Sequence, residues 1–108
     1  MSFKLKIRKI GSTPVLVIAG EVTGNNISKI TSKLESIQKI FTGTIAIDLG
    51  KTTFIDSHGL GVFVFFSRRF SEENRRFVFM KPSEFVKELF CGSNLDKIFH
   101  IIDSEEDL

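Results

Sequence analysis

Two kinds of apolar segment alternate along this chain, and the alternation constrains the fold more than any other feature of the sequence. Short apolar runs of the kind that forms strands are separated by longer stretches with the periodicity of amphipathic helices. The predicted order is strand, strand, helix, strand, helix, strand, helix, strand and a final acidic helix. Strands that alternate with helices indicate an α/β fold with a mostly parallel sheet and crossover connections. Because the chain has 108 residues, we expect one domain that spans 1–108.

The helix at 27–40 is the clearest single element, because its apolar residues recur at spacings of three and four. A turn at 11–14 predicts a hairpin between the first two strands. Residues 50–53 are predicted as a loop. The other predicted elements are strands at 3–10, 15–19, 44–49 and 77–80, a short strand that ends at 102, and helices at 57–70, from 82–84 onward and at 103–108.

The composition argues against several classes of function. Apolar residues make up 42% and charged residues 26%, which is typical of a soluble globular protein. The net charge is only +2 and no reading motif is present, so we expect no nucleic-acid partner. Cys91 is the single cysteine, and His58 and His100 lack the spacing of metal ligands, so neither a disulfide nor a metal site is expected.

The apolar runs are too short to span a bilayer, and the first residues show no signal-peptide pattern. We therefore expect a cytoplasmic protein that does not contact a membrane. No phosphate-binding loop or other nucleotide signature is recognisable, so no cofactor is predicted.

One segment, 48–61, combines features of a switch site. Its sequence, DLGKTTFIDSHGLG, runs from a buried strand through a loop into a helix that is predicted to begin at Ser57. Ser57 is predicted as the N-cap, where its hydroxyl accepts a hydrogen bond from a first-turn amide. The free amides and the dipole of a helix N-terminus also favour an anion. Gly59 and Gly61 are expected to leave the first turn bare, so that a partner approaches Ser57 closely.

Each of these residues also has a purely structural interpretation. From physical chemistry alone, Ser57 is more often a plain helix cap than a modification site. Asp56 either orients Ser57 and its kinase or accepts loop hydrogen bonds, and Asp48 is interpreted as structural. His58 is expected to be exposed, because neighbouring residues at a helix start diverge by about 100° and do not form a base and nucleophile pair.

The helix at 57–70 is apolar on nearly every side. A helix of this kind is either buried all round or meets something else, and full burial is difficult in a domain of this size. Twelve phenylalanines, without tyrosine or tryptophan, indicate a Phe-rich core. Part of this helix is therefore expected to be a docking face.

Segment 48–61 resembles the signature of STAS domains, in particular that of the bacterial anti-sigma-factor antagonists. It follows their D-L-x-x-x-x-F-I-D-S-x-G-L-G pattern almost position for position. The Gly20-Glu21 pair and the ending at 95–99 and 103–106 are similar to the family as well, so the resemblance covers the whole chain. The central motif is the specific part.

The resemblance implies a curved, mostly parallel or mixed sheet of about five strands with about four helices mainly on one face. It implies that Ser57 is phosphorylated by an anti-sigma factor with GHKL-type serine kinase activity and reset by a PP2C-like phosphatase. The unphosphorylated form would bind the anti-sigma factor and so release the sigma factor, without being an enzyme itself. The residues expected to contact the partner are Asp56, His58, Gly59, Leu60 and Gly61.

Two positions depart from the family pattern. His58 stands where a second serine or a threonine is frequent, and Thr23 stands where many members have aspartate. The alternative function is a STAS docking subunit of another assembly, such as a stress-signalling scaffold or a lipid-transport complex, without a phospho-switch. An in vitro kinase assay separates the two hypotheses, and an ester hydrolysis assay addresses an enzymatic function.

Overall fold

The central sheet is built on strands with buried apolar runs: the strand Phe77–Met80 is buried throughout, and the first half of Ile45–Ile55 and most of Thr13–Val22 are buried as well. A computed structural model describes residues 3–108, and its five strands follow the order β1-β2-β3-β4-β5. The first pair is antiparallel, as the predicted hairpin requires, and the other neighbours are parallel. The elements are β1 (Lys4–Ile10), β2 (Thr13–Val22), α1 (Ile27–Ile40), β3 (Ile45–Ile55), α2 (Ser57–Glu72), β4 (Phe77–Met80), α3 (Glu84–Gly92) and β5 (His100–Ile102).

The three α-helices of residues 3–108 bury their apolar stripes in one cluster with the helix-facing side of the sheet. Phenylalanine rings fill much of it: Phe79 lies 4.4 Å from Phe99 and 5.1 Å from Phe63, measured between ring centroids. The predicted Phe-rich core and α/β class are therefore confirmed. The opposite side of the sheet carries a smaller cluster that is packed against Leu108.

The loop predicted at 50–53 is wrong, because β3 continues without interruption to Ile55. The polar side chains of residues 50–53 predict a loop, but β2 is long enough to pair with β3 as far as the pair Val22 and Ile55. Two register shifts in this pairing accommodate the extra residues. Thr52, which is buried, donates its hydroxyl proton to the carbonyl of Ile18 at 2.8 Å, so its polar group is satisfied inside the sheet.

The fourth predicted helix, at 103–108, is also wrong. The segment forms only a 3-10 turn, Glu105–Asp107, which begins at a Ser104 side-chain cap. Glu105 pairs with Arg8 and with Lys81, and these ion pairs hold the turn against the sheet. Met1 and Ser2, part of the stretch without a signal-peptide pattern, lie outside the described residues.

Candidate functional site

The cap of α2 is Asp56 and not Ser57, which corrects the sequence interpretation. Asp56 has extended backbone angles, and its Oδ1 accepts a hydrogen bond from the amide of Gly59 at 2.9 Å. Aspartate is as good an N-cap as serine, so the sequence alone did not separate the two neighbours. Ser57 is consequently the first residue of the helix itself.

The second oxygen of Asp56 reaches another segment of the chain. Its Oδ2 accepts a hydrogen bond from the amide of Gly24 at 3.0 Å, in the loop between β2 and α1. The backbone amide of Asp56 also donates to the carbonyl of Val22 at 2.9 Å. Asp56 therefore caps α2 and also ties the loop after β2 to the start of that helix.

The pKa of Asp56 is lowered from its ordinary value. The largest cause is the hydrogen bond from the Gly59 amide, followed by the bond from the Gly24 amide and the nearby charge of His58. These bonds favour the ionised form. The site thus presents a carboxylate at neutral pH, directly before Ser57.

Ser57 is exposed, and its hydroxyl is not required as the cap of α2. His58 is exposed as predicted, but its ring turns toward the loop: Nδ1 lies 3.5 Å from Oδ2 of Asp56. The imidazole therefore borders the carboxylate. The surface around Ser57 combines a free hydroxyl, a carboxylate and an imidazole.

Gly59 does not leave the first turn bare, and this expectation is corrected. The residue is buried, and a Cβ atom added there would lie 2.6 Å from Val22 Cγ1 and 2.8 Å from Ile55 Cγ2. Its missing side chain lets α2 approach the sheet, so it faces the core rather than a partner. Gly61 fulfils the expectation: it is exposed, and an added Cβ would meet no atom within 4 Å.

Leu60 is half-buried and packs against the edge of the main core cluster. Farther along the outer side of α2, Phe65 is 56% exposed. Phe65 and Arg68 line a shallow groove of about 500 Å³ that begins at Gly61. Phe65 and Arg68 were missed as individual candidates, although their spacing from Ser57 and Gly61 follows one helix face and could have identified them.

Asp48 has the expected structural role, and it lies away from the surface around Ser57. Its Oδ1 accepts from the Gly50 amide at 2.9 Å, and its Oδ2 lies 3.3 Å from Arg8 Nη2 and 3.7 Å from Lys81 Nζ. These contacts lie on the side of the sheet opposite to the helices. The structure therefore does not bring Asp48 together with the residues around Ser57.

Within residues 3–108, no group of three or more potential ligand side chains could hold a metal ion. The same described range contains no helix with both the length and the apolar character needed to cross a membrane. His100, the other histidine, lies on β5 with Nε2 3.1 Å from Nη2 of Arg76. It is therefore part of a different surface from His58.

The fold is a small α/β domain: a hairpin is followed by parallel strands, and every described α-helix packs on one side of the sheet. An exposed serine begins one of these helices. The model of the STAS domain family matches residues 4–108. The chain belongs to the STAS domain family.

Solved structures share this fold. A proposed anti-sigma factor antagonist from Thermotoga maritima is 22% identical with a TM-score of 0.87, over 95% of this chain and 89% of that one. An anti-sigma factor antagonist from Mycobacterium paratuberculosis is 17% identical with a TM-score of 0.86, over 98% and 90%. The Bacillus cell fate determinant SpoIIAA in its phosphorylated form is 22% identical with a TM-score of 0.70, over 98% and 95%.

The two glycines of the first turn of α2 are predicted to respond oppositely to alanine. Gly59→Ala should lower the free energy of unfolding by about 1–3 kcal/mol, because the new Cβ overlaps two β-branched side chains. Gly61→Ala should raise it by about 0.5–1 kcal/mol, because the site is open and alanine favours a helix. Urea unfolding of both variants measures the difference. Equal stability of the two variants would contradict the close packing at Gly59.

Proposed function

We propose that this protein is an anti-sigma-factor antagonist that is switched off by phosphorylation of Ser57. In its unphosphorylated form it binds an anti-sigma factor with GHKL-type serine kinase activity and thereby releases the sigma factor. A PP2C-like phosphatase removes the phosphate. The protein acts in the cytoplasm as a binding module, without catalysis or a cofactor of its own.

The observation that carries this proposal is the exposed hydroxyl of Ser57 beside a cap supplied by Asp56. A kinase needs a hydroxyl that the fold does not use, and Asp56 takes over the hydrogen bond that Ser57 would otherwise accept. Phosphorylation therefore removes no intramolecular bond of the cap. The similarity to SpoIIAA, whose structure is described in phosphorylated and unphosphorylated forms, supports a role of this type.

The proposed contact surface consists of the exposed first turn of α2 and its continuation. Ser57, His58 and Gly61 are exposed, and Leu60 contributes a partly accessible aliphatic edge. Gly59 supports this surface from beneath, and Asp56 holds it in place. The groove that begins at Gly61 extends the surface along the helix toward Phe65.

Ser57→Ala is predicted to abolish phosphorylation by the cognate kinase and to leave stability within about 0.5 kcal/mol of the wild type, because Asp56 caps the helix. Ser83→Ala is the matched control, since Ser83 does cap α3 through the Val86 amide. That control should cost about 1 kcal/mol and still be phosphorylated. Radiolabelled phosphate incorporation and thermal unfolding provide the two measurements. Undiminished phosphorylation of Ser57→Ala would refute the assignment and favour a docking subunit without this switch.

Gly61→Arg is predicted to weaken binding of the anti-sigma factor by at least about tenfold without unfolding the protein. The added side chain would project from the centre of the proposed surface, where there is no room for it once a partner has docked. Gly92→Arg is the control, because Gly92 is equally open but lies at the end of α3. Calorimetric titration measures both affinities. An equal effect of the two substitutions would argue against this surface.

The phosphorylated form is predicted to bind the kinase at least about a hundredfold more weakly than the unphosphorylated form. Phosphate adds about −1.5 to −2 charges, and desolvating an unpaired charge in an interface costs several kcal/mol. Ser57→Asp should reproduce the loss only partly, because it has one charge and a shorter reach. Titration of the kinase with the three forms tests this. Tighter binding of the phosphoprotein would reverse the mechanism and indicate a phospho-recognition scaffold.

A further inference from the structure

One edge of the sheet is a basic strand that pairs on one side only. β1 is the first strand in the sheet order and is hydrogen-bonded to β2 alone, so a row of its backbone groups points away from the sheet. Its sequence, KLKIRKI, alternates cationic and aliphatic residues over most of its length. Lys4 and Lys6 are exposed, and Ile7 is 43% exposed.

Lysines border the edge strand on both faces of the sheet. The open face is the side of the sheet opposite to the α-helices. There, a groove of about 400 Å³ has an apolar floor of Val17 and Ala19 and is lined by Lys4, Lys6 and Lys51. On the helix face, a groove of about 490 Å³ lies between Leu5 and the outer side of α1. Its lining includes Lys29 and Lys33. Neither lining contains an acidic residue.

The chain already docks an acidic segment of its own on the neighbouring part of the open face. Arg8, on the same strand, pairs with Glu105, and Leu108 packs onto the small apolar cluster of that face. Lys6 and Arg8 are aligned with Val17 and Val15 in the β1–β2 register, which places both on this side. Among the ion pairs of residues 3–108, none includes Lys4 or Lys6.

Lysines on an edge strand commonly prevent sheets from joining edge to edge. A second copy of this chain paired along β1 would bring two lysine-rich strands together, and opposed like charges destabilise such pairs. An acidic strand meets no such repulsion. The charge pattern therefore disfavours edge pairing with a second copy of this chain and favours pairing with a partner strand of opposite charge.

We propose that β1 binds an extended acidic segment of a partner protein, which adds to the sheet as a further strand. Its acidic residues, at alternate positions, face Lys4 and Lys6, and the aliphatic residues between them lie against Leu5 and Ile7. Main-chain hydrogen bonds supply part of the affinity, and the alternating side chains supply the selectivity. This surface is separate from Ser57 and does not depend on the proposed phospho-switch.

The test uses the full chain and a synthetic peptide of alternating glutamate and valine with blocked ends, matched to the 7 residues of β1. Its binding is followed by amide NMR and amide exchange. We expect shifts and slower exchange in β1, and a dissociation constant raised at least about tenfold in Lys4→Glu/Lys6→Glu. The control Arg76→Glu/Lys97→Glu makes the same charge change at exposed positions near β5 and should bind normally.

A peptide with N-methyl groups at alternate residues keeps the charges but loses hydrogen-bond donors, and it should bind the wild type at least about tenfold more weakly. This comparison needs no protein variant. Equal binding of the methylated peptide, or unchanged exchange in β1, would overturn strand addition. Undiminished binding to the lysine variant would overturn the charge recognition, and concentration-dependent dimers paired through β1 would overturn the choice of partner. Ser57 phosphorylation should be the same in all variants, so a failure here is distinguishable from a failure of the phospho-switch.

Discussion

The carboxylate of Asp56 is the group on which the geometry of the site depends. It accepts one hydrogen bond from the first turn of α2 and another from the loop that follows β2, so one side chain joins two segments that are distant in sequence. Gly59 makes this arrangement possible, because its missing side chain lets the helix lie against Val22 and Ile55. The position of Ser57 is therefore fixed by the packing beneath it and by the cap before it. The Ser57 hydroxyl is therefore exposed to solvent at a defined position, although it does not itself make the hydrogen bonds that fix that position.

The two faces of the sheet are stabilised by different means. The helix face is covered by α-helices and filled with aromatic rings at contact distance, which gives α2 a rigid support. The open face has only a small apolar cluster, and ion pairs of Arg8 and Lys81 with Glu105 hold the C-terminal turn beside it. Surface ion pairs of this kind contribute little stability individually. The C-terminal turn is therefore held on this face by the apolar packing of Leu108 as well as by the ion pairs. The Ser57 surface lies on the well-supported side.

Periodicity predicted the elements well where packing decides them, and less well where hydrogen bonding decides. Helix 27–40 and strand 77–80 agree with the structure at both ends, because their apolar residues alone define their buried faces. Residues 50–53 are polar and therefore predict a loop. They lie in a strand because they pair with β2, and local sequence does not reveal such a long-range pairing. The motif predicted where α2 begins, but it assigned the cap to Ser57 instead of Asp56, since either side chain can cap a helix. The inward direction of Gly59 was not recognisable either, because a glycine looks the same in sequence whether it faces a partner or the core.

The identity of the cap determines where the charge of a phosphate at Ser57 would act. A helix N-terminus carries roughly half a positive charge, and Asp56, whose pKa is lowered, already places a full negative charge there. A phosphate with about −1.5 to −2 charges at Ser57 would therefore be attracted by the helix N-terminus and repelled by Asp56, and these two intramolecular effects oppose each other. If Ser57 were the cap, its modification would instead rearrange the first turn, and the switch would act through the fold. With Asp56 as the cap, a phosphate on Ser57 would leave the hydrogen bond of the first turn in place, because Asp56 accepts it. The free-energy cost of the new charge then falls on whatever docks against this surface, which is the property a reversible binding switch requires.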